Sequence, residues 1–237
     1  MTEPNSSDTS KSKSRIITQV LTKAIKLWLR TQLSQVSQIA VQIGASDREI
    51  LSGCVPSVSI FASGAVYQGL HITQIALDAQ NIQINIGSVV RGKPLQLLDT
   101  VPVVAELIVE EQDLNNSLSS ELLSTALNDL LVKLLPEYCP KSKPIFWEKI
   151  SLDDQRLILR GSLLSAIESS FLEIFAGLQL FNAQELQLTQ VQILQNQVAL
   201  LDMCDEYNLY LGSDVKIQAL TVIPGKLVCR GQINVNP

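Results

Sequence analysis

Aromatic residues are scarce in this 237-residue chain, at 5%, and histidine occurs once, as His71. Charged residues make up 17% against 46% hydrophobic ones, so the core that a chain of this length buries must be aliphatic. No apolar run reaches the roughly 18 residues of a membrane-crossing helix, and the N-terminus has no uncharged central segment ahead of a small-residue cleavage site. A cytoplasmic protein is therefore expected. The four cysteines, Cys54, Cys139, Cys204 and Cys229, form no C-x-x-C pair. That suits reduced, buried thiols better than zinc ligands or disulfides, and no cofactor is expected. Little supports an enzyme. His71 lies between Leu70 and Ile72 in a strand pattern and near no G-x-S-x-G serine. The adjacent carboxylates Glu110 and Glu111, or Asp153 and Asp154, would point to opposite faces of a strand and cannot share a substrate.

Acid is missing from one long segment. Between Thr9 and Ser46 there is no Asp or Glu, whereas Lys11, Lys13, Arg15, Lys23, Lys26 and Arg30 supply +6. The whole chain is −5, which leaves −11 for the remainder. A basic arm on an acidic body suits an anionic membrane surface, unless the arm only neutralises its own body. Nucleic acid is not expected as a partner, because Trp28, the arm's one aromatic, falls on an apolar stripe. Residues 1–13 read as a disordered polar tail. From the cap candidate Ser14, apolar residues recur at helical spacing through Ile17, Leu21, Ile25, Leu29, Val36 and Ile43, and Gly44 is placed to stop them. The spacing predicts one long amphipathic helix over 14–43.

Beyond it, period-2 alternation predicts strands over 57–110, a second helix over 111–135 closed by Pro136, Pro140 and Pro144, and strands over 145–235. The apolar phase slips within LHITQIALDA and again within LQLTQVQI, which suggests bulges and a strongly curved sheet. The stretch GSVVRGKP (Gly87–Pro94) imitates a phosphate-binding loop through Gly87, Gly92 and Lys93. However, Pro94 stands where a Mg²⁺-binding hydroxyl is needed and disfavours the helix that should begin there. No nucleotide is expected.

GLHITQIALDAQNIQINIGSVVRGKPLQLL, VAELIVEEQDLNNSL and LGSDVKIQALTVIPGKLVCRGQINV resemble the LmeA-like family of bacterial phospholipid-binding proteins, in particular its cyanobacterial branch. VVRGKP, the EQDLN helix start and the CRG near the end carry the likeness. The resemblance implies a fold like the tubular lipid-binding proteins: α+β, with a strongly curved, mainly antiparallel sheet wrapped around a long amphipathic helix. It also implies phospholipid binding without catalysis. The expected acyl-chain residues are Ile82, Ile84, Ile86, Leu107, Leu178 and Leu188, with Arg91 and Lys93 meeting the phosphate and the six basic residues of the arm facing the membrane. The alternative is a scaffold whose sheet is filled by its own side chains and whose amphipathic helix binds a partner.

Overall fold

The structure, a computed structural model, describes residues 16–89, 91, 93–136, 145–164 and 169–237. Ser14, the tail over 1–13 and the prolines Pro140 and Pro144 lie outside the described residues. The chain begins with helix α1 (Ile16–Gln32), strand β1 (Gln38–Gly44) and a short helix α2 (Asp47–Leu51). Long strands β2 (Cys54–Tyr67) and β3 (Leu70–Gln83) follow, then a helical turn α3 (Ile86–Val89) and β4 (Val101–Glu110). Helices α4 (Glu111–Asn116) and α5 (Glu121–Leu134) lead into β5 (Ile145–Asp153), β6 (Arg156–Leu164), β7 (Ser169–Asn182), β8 (Glu185–Gln195) and β9 (Val198–Tyr210). The chain then returns through β10 (Val215–Ile223) and β11 (Lys226–Val235).

These strands form two antiparallel sheets, one of six strands in the order β1-β2-β3-β4-β11-β10 and one of five in the order β5 to β9. The mainly antiparallel α+β reading holds at this level. The helix expected over 14–43 does not: it stops at Gln32, and Gln38–Gly44 is a strand paired with β2. Ile39, Val41 and Ile43 fit period 2 as well as helical spacing, and their β-branched side chains favour the strand once a partner edge is present. The single helix expected over 111–135 is also two. Ser117 and Ser120 are buried at the break; the Ser120 hydroxyl accepts from the Leu123 N–H, and that of Ser117 accepts from the His71 N–H. Ile84 and Ile86, expected in a strand, occupy a bridge and the start of α3.

The slip within LQLTQVQI is a true bulge, with a register shift against β7 and a left-handed Gln190. In LHITQIALDA the pairing merely skips Gly64 and Thr73, and the register is kept across a left-handed Gly64. Gly231, within the CRG stretch, lies opposite a bulge in β10 between Ile217 and Ala219. A Cβ there would stand 2.5 Å from the Lys216 carbonyl oxygen. Gly231→Ala is therefore expected to cost about 1–3 kcal/mol, read as a lowered thermal midpoint.

Two aliphatic cores result. Ile17, Leu21, Ile25 and Leu29 of α1 pack with Val41, Ile50, Val58, Ile82 and Ile84 at one end of the six-stranded sheet. Leu127, Leu131 and Leu134 of α5 pack into the five-stranded sheet against Trp147, Leu172 and Leu188, and that core takes in Val222 and Leu227 from the far end of β10 and β11. The EQDLN stretch joins the sheets. The Glu111 carboxylate accepts from the Leu152 N–H at 2.8 Å, and Asn115 both accepts from the Ile150 N–H at 2.9 Å and donates to the Ile150 carbonyl at 2.8 Å. Asp113 accepts from the Thr73 hydroxyl on the other sheet.

Candidate functional site

Register reveals a feature that no single strand displays. Partners directly opposite in an antiparallel sheet share a face, so the pairings can be followed across all six strands. One such row reads Ile39, Ala62, Ile75, Leu107, Cys229, Leu220. The row beside it is Val41, Ile60, Leu77, Ala105, Gly231, Ile217, and the third is Ile43, Val58, Ala79, Val103, Ile233, Val215. Every position is apolar. The opposite face carries Asp78, Glu106, Gln232 and Arg230 between them, as a solvated face should.

Among the described residues, the two cores cover this apolar face at its ends. The α1 core takes in the third row from Ile43 to Val103 and the β1–β2 part of the second; the α5 core reaches the sheet at Val222 and Leu227. Between them Ile75, Leu77, Ala105, Leu107, Leu220 and Cys229 are half-buried and belong to neither core. An aliphatic band thus crosses the sheet from β1 to β10, with Ala105 and Gly231 making its floor low. Five interstrand spacings make it about 24 Å long. Burial in this setting pushes the Cys229 thiol up from its ordinary value.

Of the acyl-chain residues named from sequence, only Leu107 lies in the band. Ile82, Ile84 and Ile86 pack in the α1 core, and Leu178 and Leu188 in the α5 core. Leu188 is fully buried. Arg91 and Lys93 are exposed on the loop after α3, which Asn85 closes by accepting from the Gln96 N–H and donating to the Pro94 carbonyl. Gly92 lies outside the described residues. Ile75 and Ile84 are nine residues apart on one strand path, about 30 Å, so this loop does not border the middle of the band. Lys23, Lys26 and Arg30 lie on α1; Lys11, Lys13 and Arg15 are outside the described residues. Two depressions also mark the surface, one of about 380 Å³ along Gln19, Thr22, Lys23 and Lys26, the other of about 140 Å³ at Arg156, Phe175 and Gln192. None of the residues lining either depression belongs to the band. No helix among the described residues is long and apolar enough to cross a membrane.

An apolar surface of this extent marks a surface built to be covered, and hydrocarbon is what an aliphatic face without hydrogen-bonding groups can hold. The profile of the LmeA-like phospholipid-binding family matches residues 13–232. The chain belongs to that family. No curated protein and no solved structure matched it. Sequence reasoning missed the band because its members lie on six strands that are not neighbours in the chain; the signal available was small residues, Ala62, Ala105 and Gly231, at inward strand positions.

Proposed function

We propose that the chain binds a phospholipid by its acyl chains in this band, does no chemistry on it, and works at the cytosolic face of a membrane. The uninterrupted apolar rows are the observation that supports the reading. Each methylene withdrawn from water contributes about 0.8 kcal/mol. An extended chain advances about 1.3 Å per C–C bond of 1.52 Å, so roughly eighteen carbons span the band. Adjacent rows stand about 6.6 Å apart, which leaves width for two chains side by side. None of the eighteen positions in the three rows is a serine, histidine or carboxylate, and the one thiol among them, Cys229, has its pKa raised by burial, so a bound ester meets no activated nucleophile there. Free Cys54 and Cys229 suit a reducing compartment.

Arg91 and Lys93 are assigned to phosphates of the membrane surface, since their loop stands away from the band. Replacing both with Gln should leave uptake of a fluorescent acyl probe in solution unchanged while weakening binding to anionic vesicles severalfold. Reduced probe uptake would instead place the pair at the bound lipid.

Organic extraction of the purified protein followed by mass spectrometry tests the reading: two-chain lipid should be present in substoichiometric to equimolar amounts. Lipid-free protein that takes up no acyl probe supports the scaffold. Cys229 supplies a local readout. Its raised pKa means little thiolate at neutral pH and slow alkylation, which should rise above that pH and be slowed further by bound lipid, with Cys54 as the reference peptide.

A further inference from the structure

Helix α1 is apolar over more of its circumference than it buries. Ile17, Leu21, Ile25 and Leu29 face the sheet. Val20, Leu27 and Trp28 are 61%, 67% and 60% exposed, and with Ala24 they form a second stripe at spacings of four, seven and eight residues. Beside that stripe run Lys23, Lys26 and Arg30, and α1 contains no acidic residue. The helix contacts α2, which contacts α3, so the same end of the molecule also presents Arg48, Arg91 and Lys93, all exposed. Two of the carboxylates there are committed: Asp47 accepts from the Ile17 and Thr18 N–H groups at the start of α1, and Glu49 completes the capping box of α2. Among the described residues, Asp99 also lies near this end, exposed and two positions beyond Leu97 of the α1 core.

We propose that α1 is an interfacial helix that lies in the headgroup region of an anionic bilayer, with Val20, Ala24, Leu27 and Trp28 inserted into the acyl boundary and its basic row on the lipid phosphates. This rests on the lipid reading and adds a mode of attachment to it. The charge points to the occupant: a neutral apolar partner would leave six cations on this end unanswered, whereas an anionic bilayer answers both the stripe and its flank. Attachment by charge alone would disappear at high salt, where the Debye length falls to about 3 Å at 1 M. An inserted stripe keeps part of the affinity.

The test uses the full chain with vesicles of phosphatidylglycerol and phosphatidylcholine, followed by co-sedimentation across a salt series and by Trp emission. Trp147 is buried and donates to Asn128, so it serves as the constant background. Binding is expected to shift Trp28 emission to the blue and to allow quenching by brominated acyl chains, effects that are missing in Trp28→Phe. The variant Val20→Gln, Leu27→Gln, Trp28→Gln should lose at least about tenfold in partition and all salt-resistant binding, with an unchanged melt because these side chains are already in water. Lys23→Gln, Lys26→Gln, Arg30→Gln should lose only the salt-sensitive part. Unaltered partition of the apolar variant overturns the proposal. So does a Trp28 shielded without vesicles, whether by a second copy in sedimentation or by the chain's own N-terminal residues. Acyl-probe uptake in solution, measured on the same proteins, separates the two ideas: it should persist in the apolar variant, and its failure in the unaltered protein sinks the lipid reading without touching the helix.

Discussion

Ala105→Trp is expected to abolish uptake of a long-chain acyl probe, weakening it by at least about tenfold, or roughly 1.4 kcal/mol, less than two methylenes' worth of burial. Ala105 sits mid-band between Leu77 and Gly231, where the floor is lowest. An indole there fills the space the chain must occupy. The fold should survive, because Ala105 packs in neither core and the added ring projects into the uncovered band. A thermal midpoint within a few degrees of the parent, together with lost uptake, is the expected pair of results. Unchanged uptake would mean that lipid lies elsewhere or that the face is closed by a partner.

The second large effect concerns the joint between the sheets. Asn115→Leu removes both bonds to the backbone of Ile150, which is only 2% exposed, and leaves a donor and an acceptor there without partners. Each such group costs about 1–3 kcal/mol, so a loss of roughly 2–5 kcal/mol is expected. In a chain of this size that lowers the melting midpoint by on the order of 10 °C. Asn116→Leu, one position on and exposed, should change little. Equal effects of the two would show that the Asn115 bonds carry no particular weight.

This joint also shows what the sequence made legible. EQDLN stood out as a helix start, and a helix does begin at Glu111. Its purpose was hidden, since Glu111 and Asn115 act on backbone groups 35 to 41 residues away. Glu110, the cap position, makes no side-chain cap bond, so the usual Ser or Thr signal was missing for a reason: the side chains of this turn serve the neighbouring sheet. The strand β11 was plain because Leu227, Cys229, Gly231, Ile233 and Val235 alternate cleanly. In contrast β9, over Val198–Tyr210, lies within the stretch read as strands but shows little alternation of its own: Asp202, Asp205 and Glu206 interrupt the pattern in the sequence, and β9 is an edge strand. The helix expected to run to Ile43 failed where two periods coincide and only pairing with β2 decides between them. Pro94 separates the stretch around Arg91 and Lys93 from a nucleotide-loop pattern in sequence, yet the distance of these two residues from the apolar band depends on how far β3 runs, which no local motif encodes.

The most direct test of the central claim is photocrosslinking with a phospholipid that carries a diazirine midway along one acyl chain, followed by peptide mapping of the adduct. Lipid lying in the band should label peptides of β3, β4 and β11 around Ile75, Leu107 and Cys229, and the label should vanish in Ala105→Trp. Adducts confined to α1 or the five-stranded sheet, or labelling that Ala105→Trp leaves unchanged, would contradict it.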